Sequence, residues 1–142
     1  MKVSEAMTEN VELCTPDDTI RGVARMMREI DAGSMPVGEN DRLVGMITDR
    51  DIAIRAVGEG LGPETPVRQV MSQNIRWCYV DEDLDDVAEQ MAEHKVRRLP
   101  VLNRDKRLVG MISLGDISLA DSEDSGEALR EISEPGGMHS QH

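Results

Sequence analysis

Phenylalanine is absent from this chain of 142 residues, and Trp77 and Tyr79 are its only large aromatics. A core cannot be built around rings here, so Val, Ile, Leu, Ala and ten methionines must fill it. Thioether side chains adapt to irregular gaps, which makes core filling the expected use of methionine and a Met-rich partner surface the alternative. Two cysteines, Cys14 and Cys78, are too few for a disulfide scaffold and lack metal-ligand spacing. No apolar run approaches the roughly 18 residues that span a bilayer. The opening residues Met1, Lys2, Val3, Ser4 and Glu5 lack the apolar stretch of a secretory signal. The expectation is a cytoplasmic protein without membrane contact. Positive charge is also scarce, with 16 Lys and Arg against 28 acids and a net charge of −12. Nucleic-acid binding is therefore excluded as an expectation, because phosphate neutralisation dominates such affinity. An anionic small ligand would need a local concentration of positive charge.

What the chain does have is an internal repeat. Residues 43–52 read LVGMITDRDI and residues 108–117 read LVGMISLGDI. A shift of 64 superposes Val3 on Val67, Met7 on Met71, Cys14 on Cys78, Met27 on Met91 and Pro36-Val37 on Pro100-Val101. One extra residue near Lys106 changes the shift to 65 for the closing stretch. Each half, at roughly 55 residues, buries too little apolar surface to stand comfortably alone. The two are expected to pack about a pseudo-two-fold axis.

Each copy reads β-α-β-β-α, an α+β arrangement. Residues 11–14 and 75–80 are expected strands. Thr15-Pro16-Asp17-Asp18 is expected to open a helix, with Pro and acids in its first turn. Ile20, Val23, Ala24, Met27 and Ile30 follow helical spacing, as do Leu84, Val87, Ala88 and Met91. Gly33 is the expected helix stop. Pro36 and Pro100 point to an edge or a strand end. Turns at residues 39–41 and 103–106 lead into the closing stretch, and residues 53–57 continue a helix. The boundaries are 1–62 for the first domain with its linker, 63–120 for the second, and 121–142 for an acidic, flexible tail.

The chemistry concentrates at the end of each closing stretch. Thr48-x-x-Asp51 and Ser113-x-x-Asp116 carry the signature of a helix capping box. From His94 to Arg107 there are six Lys and Arg residues, Arg97 and Arg98 among them, opposed only by Asp105. In so acidic a chain this is the place for phosphates, since guanidinium forks match phosphate oxygens; a solvated basic face is the alternative. The first copy has Gly33-Ser34 at the equivalent positions and offers Arg50 instead. Arg55 is expected in a surface pair. Trp77 and Tyr79 suit strand-face packing, with stacking on a base as the alternative. Cys14 and Cys78 are expected to be small buried hydrophobes, although their equivalent positions allow a redox pair. His139 and His142 have no convergent metal ligands.

A tandem of such units, each ending in Gly-x-x-[Ser/Thr]-x-x-Asp, resembles a cystathionine-β-synthase (CBS) domain pair of the small stand-alone bacterial type, over residues 3–119. The resemblance implies tandem CBS domains whose clefts bind adenosine nucleotides, AMP, ADP or ATP ahead of S-adenosylmethionine or NAD. It implies ribose contact by Asp51 and Asp116, where a carboxylate accepts two hydroxyls at once. Thr48 and Ser113 with the helix amides suit a phosphate or ribose oxygen, and the resemblance implies that Arg97 and Arg98 face the central cleft. No nucleophile–base pair or metal cluster is visible, so the expected role is a regulatory sensor and not an enzyme. The expected assembly is a homodimer acting on an unidentified protein target, and the rival is a constitutive interaction module with empty clefts.

Overall fold

Thr19 sets the start of the first long helix. In the computed structural model, which describes residues 1–125, helix α2 spans Ile20–Ile30 and the Thr19 side chain accepts the Gly22 amide at 3.1 Å. Pro16 and Asp17 lie in a preceding turn that Asp18 closes by accepting the Thr15 amide at 2.9 Å, so the helix opens a turn later than its sequence suggests. The stop also differs. Asp31 adopts the left-handed conformation (φ 54°), and Gly33 is not required for it. Helix α4, Leu84–His94, ends the same way at Lys95 (φ 56°). Both bury the apolar faces read from their spacing: Ile20, Val23 and Met27 in α2, and Leu84, Val87 and Met91 in α4.

Strands β1 (Ser34–Glu39) and β2 (Arg42–Thr48) form an antiparallel hairpin. Its turn residues Asn40 and Asp41 both have positive φ, the pair of left-handed positions that a tight two-residue hairpin requires. In the second copy β3 (Cys78–Tyr79) runs parallel to β4 (Arg98–Leu102), which pairs antiparallel with β5 (Leu108–Ser113). The longer β4–β5 turn, where the repeat gains its residue, is held by the Asn103 side chain accepting the Asp105 and Arg107 amides at 3.0 Å. The expected strand at residues 11–14 shrinks to one parallel bridge, Cys14 to Val37, and that at residues 75–80 to β3.

Pro36 and Pro100 are not at strand ends. Pro36 pairs with Met46 in mid-hairpin, and Met46 directs both backbone groups to Ser72, so no hydrogen bond is asked of the proline on that side. On its other side the parallel bridge uses the Pro36 carbonyl and the Gly38 amide. A residue without an N–H fits this central position because no partner needs one.

The compact groupings cut across the repeat boundaries. One unit holds Met1–Val11 and the described residues from Arg76 onward; the other holds Glu12–Ile75. The short helix α1 (Val3–Ala6) thus joins the second repeat, and the 3-10 turn Val67–Gln69 joins the first. Backbone bonds repeat the arrangement: Val3 to Glu82 and Thr8 with Met111 in one unit, Val67 to Asp18 and Ser72 with Met46 in the other. Val3 is fully buried with Cys78, Leu84, Val87, Met91, Leu99, Val101 and Ile112. Val67 takes the equivalent place with Cys14, Ile20, Val23, Met27, Met35, Val37 and Ile47. Each buried valine contributes about 1.5–3 kcal/mol. Met27, Met35, Met71, Met91 and Met111 are all buried, so much of the methionine is core.

Helix α3 (Asp49–Asp51) continues through a π turn, Ile52–Ala56, and a 3-10 turn, Val57–Glu59. Helix α5 spans Leu114–Ser125. The remainder of the acidic tail, with His139 and His142, lies outside the described residues. Among the described residues no helix is long and apolar enough to cross a membrane.

Candidate functional site

Each unit builds the same cap from its closing stretch. The Thr48 hydroxyl accepts the Asp51 amide at 3.0 Å and the Asp51 Oδ2 accepts the Thr48 amide at 3.0 Å. Ser113 and Asp116 exchange the same two bonds, also at 3.0 Å. The strand before each helix fixes the second wall. Ser34 lies opposite Thr48 across the β1–β2 pair, and Arg98 lies opposite Ser113 across β4–β5. The Gly33 carbonyl accepts the Asp49 amide at 2.9 Å, and the Arg97 carbonyl accepts the Leu114 amide at 3.0 Å. Hydroxyl, carboxylate, helix N-terminus and the residue before the central strand therefore meet twice, once in each unit.

The carboxylates keep acceptor capacity, because the cap uses one lone pair of about four. Asp51 is 16% exposed at its side chain, and its Oδ1 lies 3.8 Å from the Arg55 guanidinium. Arg55, the expected surface pair, also reaches the Met71 carbonyl at 3.5 Å. Around Asp116, burial pushes the carboxyl above the ordinary aspartate value; the Ser113 amide and hydroxyl, the Arg98 charge and the Thr8 side chain oppose that rise. Arg50 extends from α3 into solvent between Asp49 and Asp51. Arg97 is exposed and Arg98 is partly buried.

The basic stretch does not form one face. His94 and Lys95 end helix α4, where the helix dipole favours cations. Arg97 and Arg98 stand at the Ser113 end of β4, and Arg104, Lys106 and Arg107 lie beyond its other end. The five residues of β4, at about 3.3 Å each, separate the two groups. Arg104 chelates Asp81 through contacts of 2.8–3.1 Å and lies 3.9 Å above the Tyr79 ring. That guanidinium holds the Asp81 carboxyl below the usual range. Lys106 lies 5.9 Å above Trp77, which meets Tyr79 edge-on at 4.8 Å. The aromatic pair is thus covered by cations from the β4–β5 turn.

Cys14 and Cys78 are buried free thiols, and burial first, with Asp18 and Glu82 adding to it, pushes each up to about 12. They are protonated at neutral pH and behave as small hydrophobes. Among the described residues no group of three or more His, Cys, Asp or Glu could hold a metal ion.

The residue that sequence reading passed over is Ser34. Its Oγ is the only buried side-chain polar atom without a hydrogen-bond partner among the described residues. The signal was present in the repeat, which aligns Ser34 with Arg98.

Comparison with known proteins agrees with the duplicated architecture. The CBS domain-containing protein YhcV of Bacillus subtilis is 38% identical over 133 residues, 92% of this chain and 94% of its own. The crystal structure of Hypoxic Response Protein I with two coordinated zinc ions superposes with a TM-score of 0.75 at 34% identity, covering 82% of this chain and 96% of that one. CBSX2 in complex with AMP superposes with a TM-score of 0.77 over 87% of this chain and 97% of its own; at 23% identity it attests the fold alone. The CBS domain family profile matches residues 3–58 and again residues 67–123. With the unit built twice, capped twice and matched twice, this chain belongs to the CBS domain family as a tandem pair.

Proposed function

We propose that this protein is a non-catalytic regulatory module that binds adenosine nucleotides of the AMP, ADP and ATP class. Thr48, Arg50 and Asp51 form one half-site; Arg97, Arg98, Ser113 and Asp116 form the other. The observation that carries the reading is the repeated meeting of a capped helix N-terminus with a carboxylate whose remaining lone pairs can take ribose hydroxyls. The AMP complex of a protein with this fold supports it. Binding favours one arrangement of the protein over others and so changes what a target protein meets. The cytoplasm is the proposed location.

A thermal-shift panel of AMP, ADP, ATP, NAD, S-adenosylmethionine and guanosine nucleotides tests this. An adenine nucleotide at 100 times its dissociation constant should stabilise by about 2.7 kcal/mol, with guanosine compounds giving less. No shift with any adenosyl compound at millimolar concentration would leave the constitutive interaction module as the better reading.

We further propose a homodimer through the helical face of the unit Glu12–Ile75. Ile54, Val57 and Leu61 are 49%, 68% and 37% exposed there. Val57 and Leu61 help line a groove of about 340 Å³ with Ile20, Ala24 and Ile52, and with Arg21, Arg25 and Arg28. Apolar surface of this kind is stabilised by covering it. Light scattering should report twice the chain mass for the parent and a single mass for Val57→Asp. An unchanged dimer in Val57→Asp would place the contact elsewhere.

A further inference from the structure

We propose that the two half-sites sort adenosyl ligands by charge, with Ser34 directing a neutral ligand to one and Arg98 directing a phosphorylated ligand to the other. The proposal rests on the adenosine-binding reading and adds which residue decides the ligand at each unit. Ser34 and Arg98 occupy the same register, opposite Thr48 and Ser113 respectively, so the comparison is between equivalent positions.

Their surroundings differ in charge. Of the residues that flank Ser113 along the closing stretch and across its strand pair, Arg97, Arg98 and Asp116 are charged, two cations against one anion. Beside Thr48 they are Asp49, Arg50, Asp51 and Arg55, and Arg55 is already engaged with Asp51 and the Met71 carbonyl. Arg50 is flanked by two acids, which leaves no net positive charge for a phosphate to meet. A phosphorylated ligand is therefore stabilised at the Arg98 half-site, where guanidinium groups can fork onto its oxygens.

Ser34 supplies the complementary preference. Its buried hydroxyl has no partner, which is costly for a group that can both donate and accept. A ligand hydroxyl or amino group reaching that oxygen removes the cost. A phosphate would lose more hydration than one neutral hydroxyl returns. The same reasoning gives Ser34→Ala an unusual pair of effects: the free protein loses an unpaired polar atom, while the ligand loses a contact.

The test is calorimetric titration of the full chain with AMP, with adenosine, and with adenosine after saturation by AMP. Adenosine should still bind the AMP-saturated protein with its affinity changed by less than about threefold. Arg98→Ser should weaken AMP about tenfold or more and leave adenosine unchanged, the scale of a lost charge-assisted contact. Ser34→Ala should weaken adenosine about fivefold to tenfold while the melting temperature of the free protein holds or rises. Loss of adenosine binding in the AMP-saturated protein would overturn the sorting. So would a Ser34→Ala protein that melts lower and binds adenosine like the parent, since the hydroxyl would then be structural. If neither compound binds at millimolar concentration, the adenosine reading itself fails.

Discussion

Gly110→Ala should destabilise the protein by about 2–4 kcal/mol, the combined scale of an overpacked core and lost backbone hydrogen bonds. A Cβ at Gly110 would lie 2.6 Å from the Thr8 carbonyl oxygen and 3.0 Å from the Met7 sulfur. The sulfur can move, but the carbonyl cannot move cheaply. Thr8 and Met111 exchange two backbone bonds at 2.8 and 3.0 Å, and shifting residue 8 away would break both. Gly45 stands in the same position in the other unit, with its Cβ 2.8 Å from the Ser72 carbonyl oxygen. Gly45→Ala should therefore cost a similar amount. Gly62 has nothing within 4 Å of its Cβ, so Gly62→Ala should stay within about 0.5 kcal/mol of the parent. Urea unfolding of the three variants measures the contrast. Equal stability for Gly110→Ala and Gly62→Ala would show that residues 7–8 do not pass against Gly110.

The second large effect is on binding. Asp51→Asn should lower adenosine affinity, and Asp116→Asn AMP affinity, roughly ten- to a hundredfold, because an amide cannot replace a carboxylate that receives two hydroxyl donors. That range corresponds to about 1.5–3 kcal/mol for a lost charge-assisted contact. Folding should be less affected. An asparagine oxygen can still accept the Thr48 or Ser113 amide, which limits the cost to about 1 kcal/mol or less on the scale of cap substitutions.

Asp116 adds a pH signature. Its carboxyl is raised by burial in the folded protein, so the folded state binds its proton more tightly than the unfolded chain does. Its contribution to stability is therefore greatest below the ordinary aspartate value and falls as pH rises through the window just above it. Asparagine does not titrate. The stability of the parent relative to Asp116→Asn should decline through that window and then level. Calorimetry and denaturation of both variants read the two effects separately. If Asp51→Asn binds adenosine and Asp116→Asn binds AMP like the parent, the aspartates serve only as helix caps.

Much of this protein was determined by local pattern. The helical faces of α2 and α4, the Asn40-Asp41 turn and the hydroxyl-x-x-Asp caps each depend on residues within a few positions of one another, so the sequence alone specifies them. The duplicated core was equally legible, because paired positions such as Val23 and Val87 must be buried in both copies. The exchange of lead-ins was not. Val3 and Val67 suit either core equally, since the two cores are near copies, and apolar patterning is unchanged when they swap. Only the path of the chain decides which valine enters which core, and with it why Gly45 and Gly110 must lack a side chain. The basic residues between His94 and Arg107 show the same limit. In sequence they form one cluster, but β4 carries its ends apart, leaving Arg97 and Arg98 beside Ser113 while Arg104 and Lys106 cover the aromatic pair. Ser34 joins them for a related reason. A serine at the head of a strand carries no signal of its own until the fold buries its hydroxyl without giving it a protein partner.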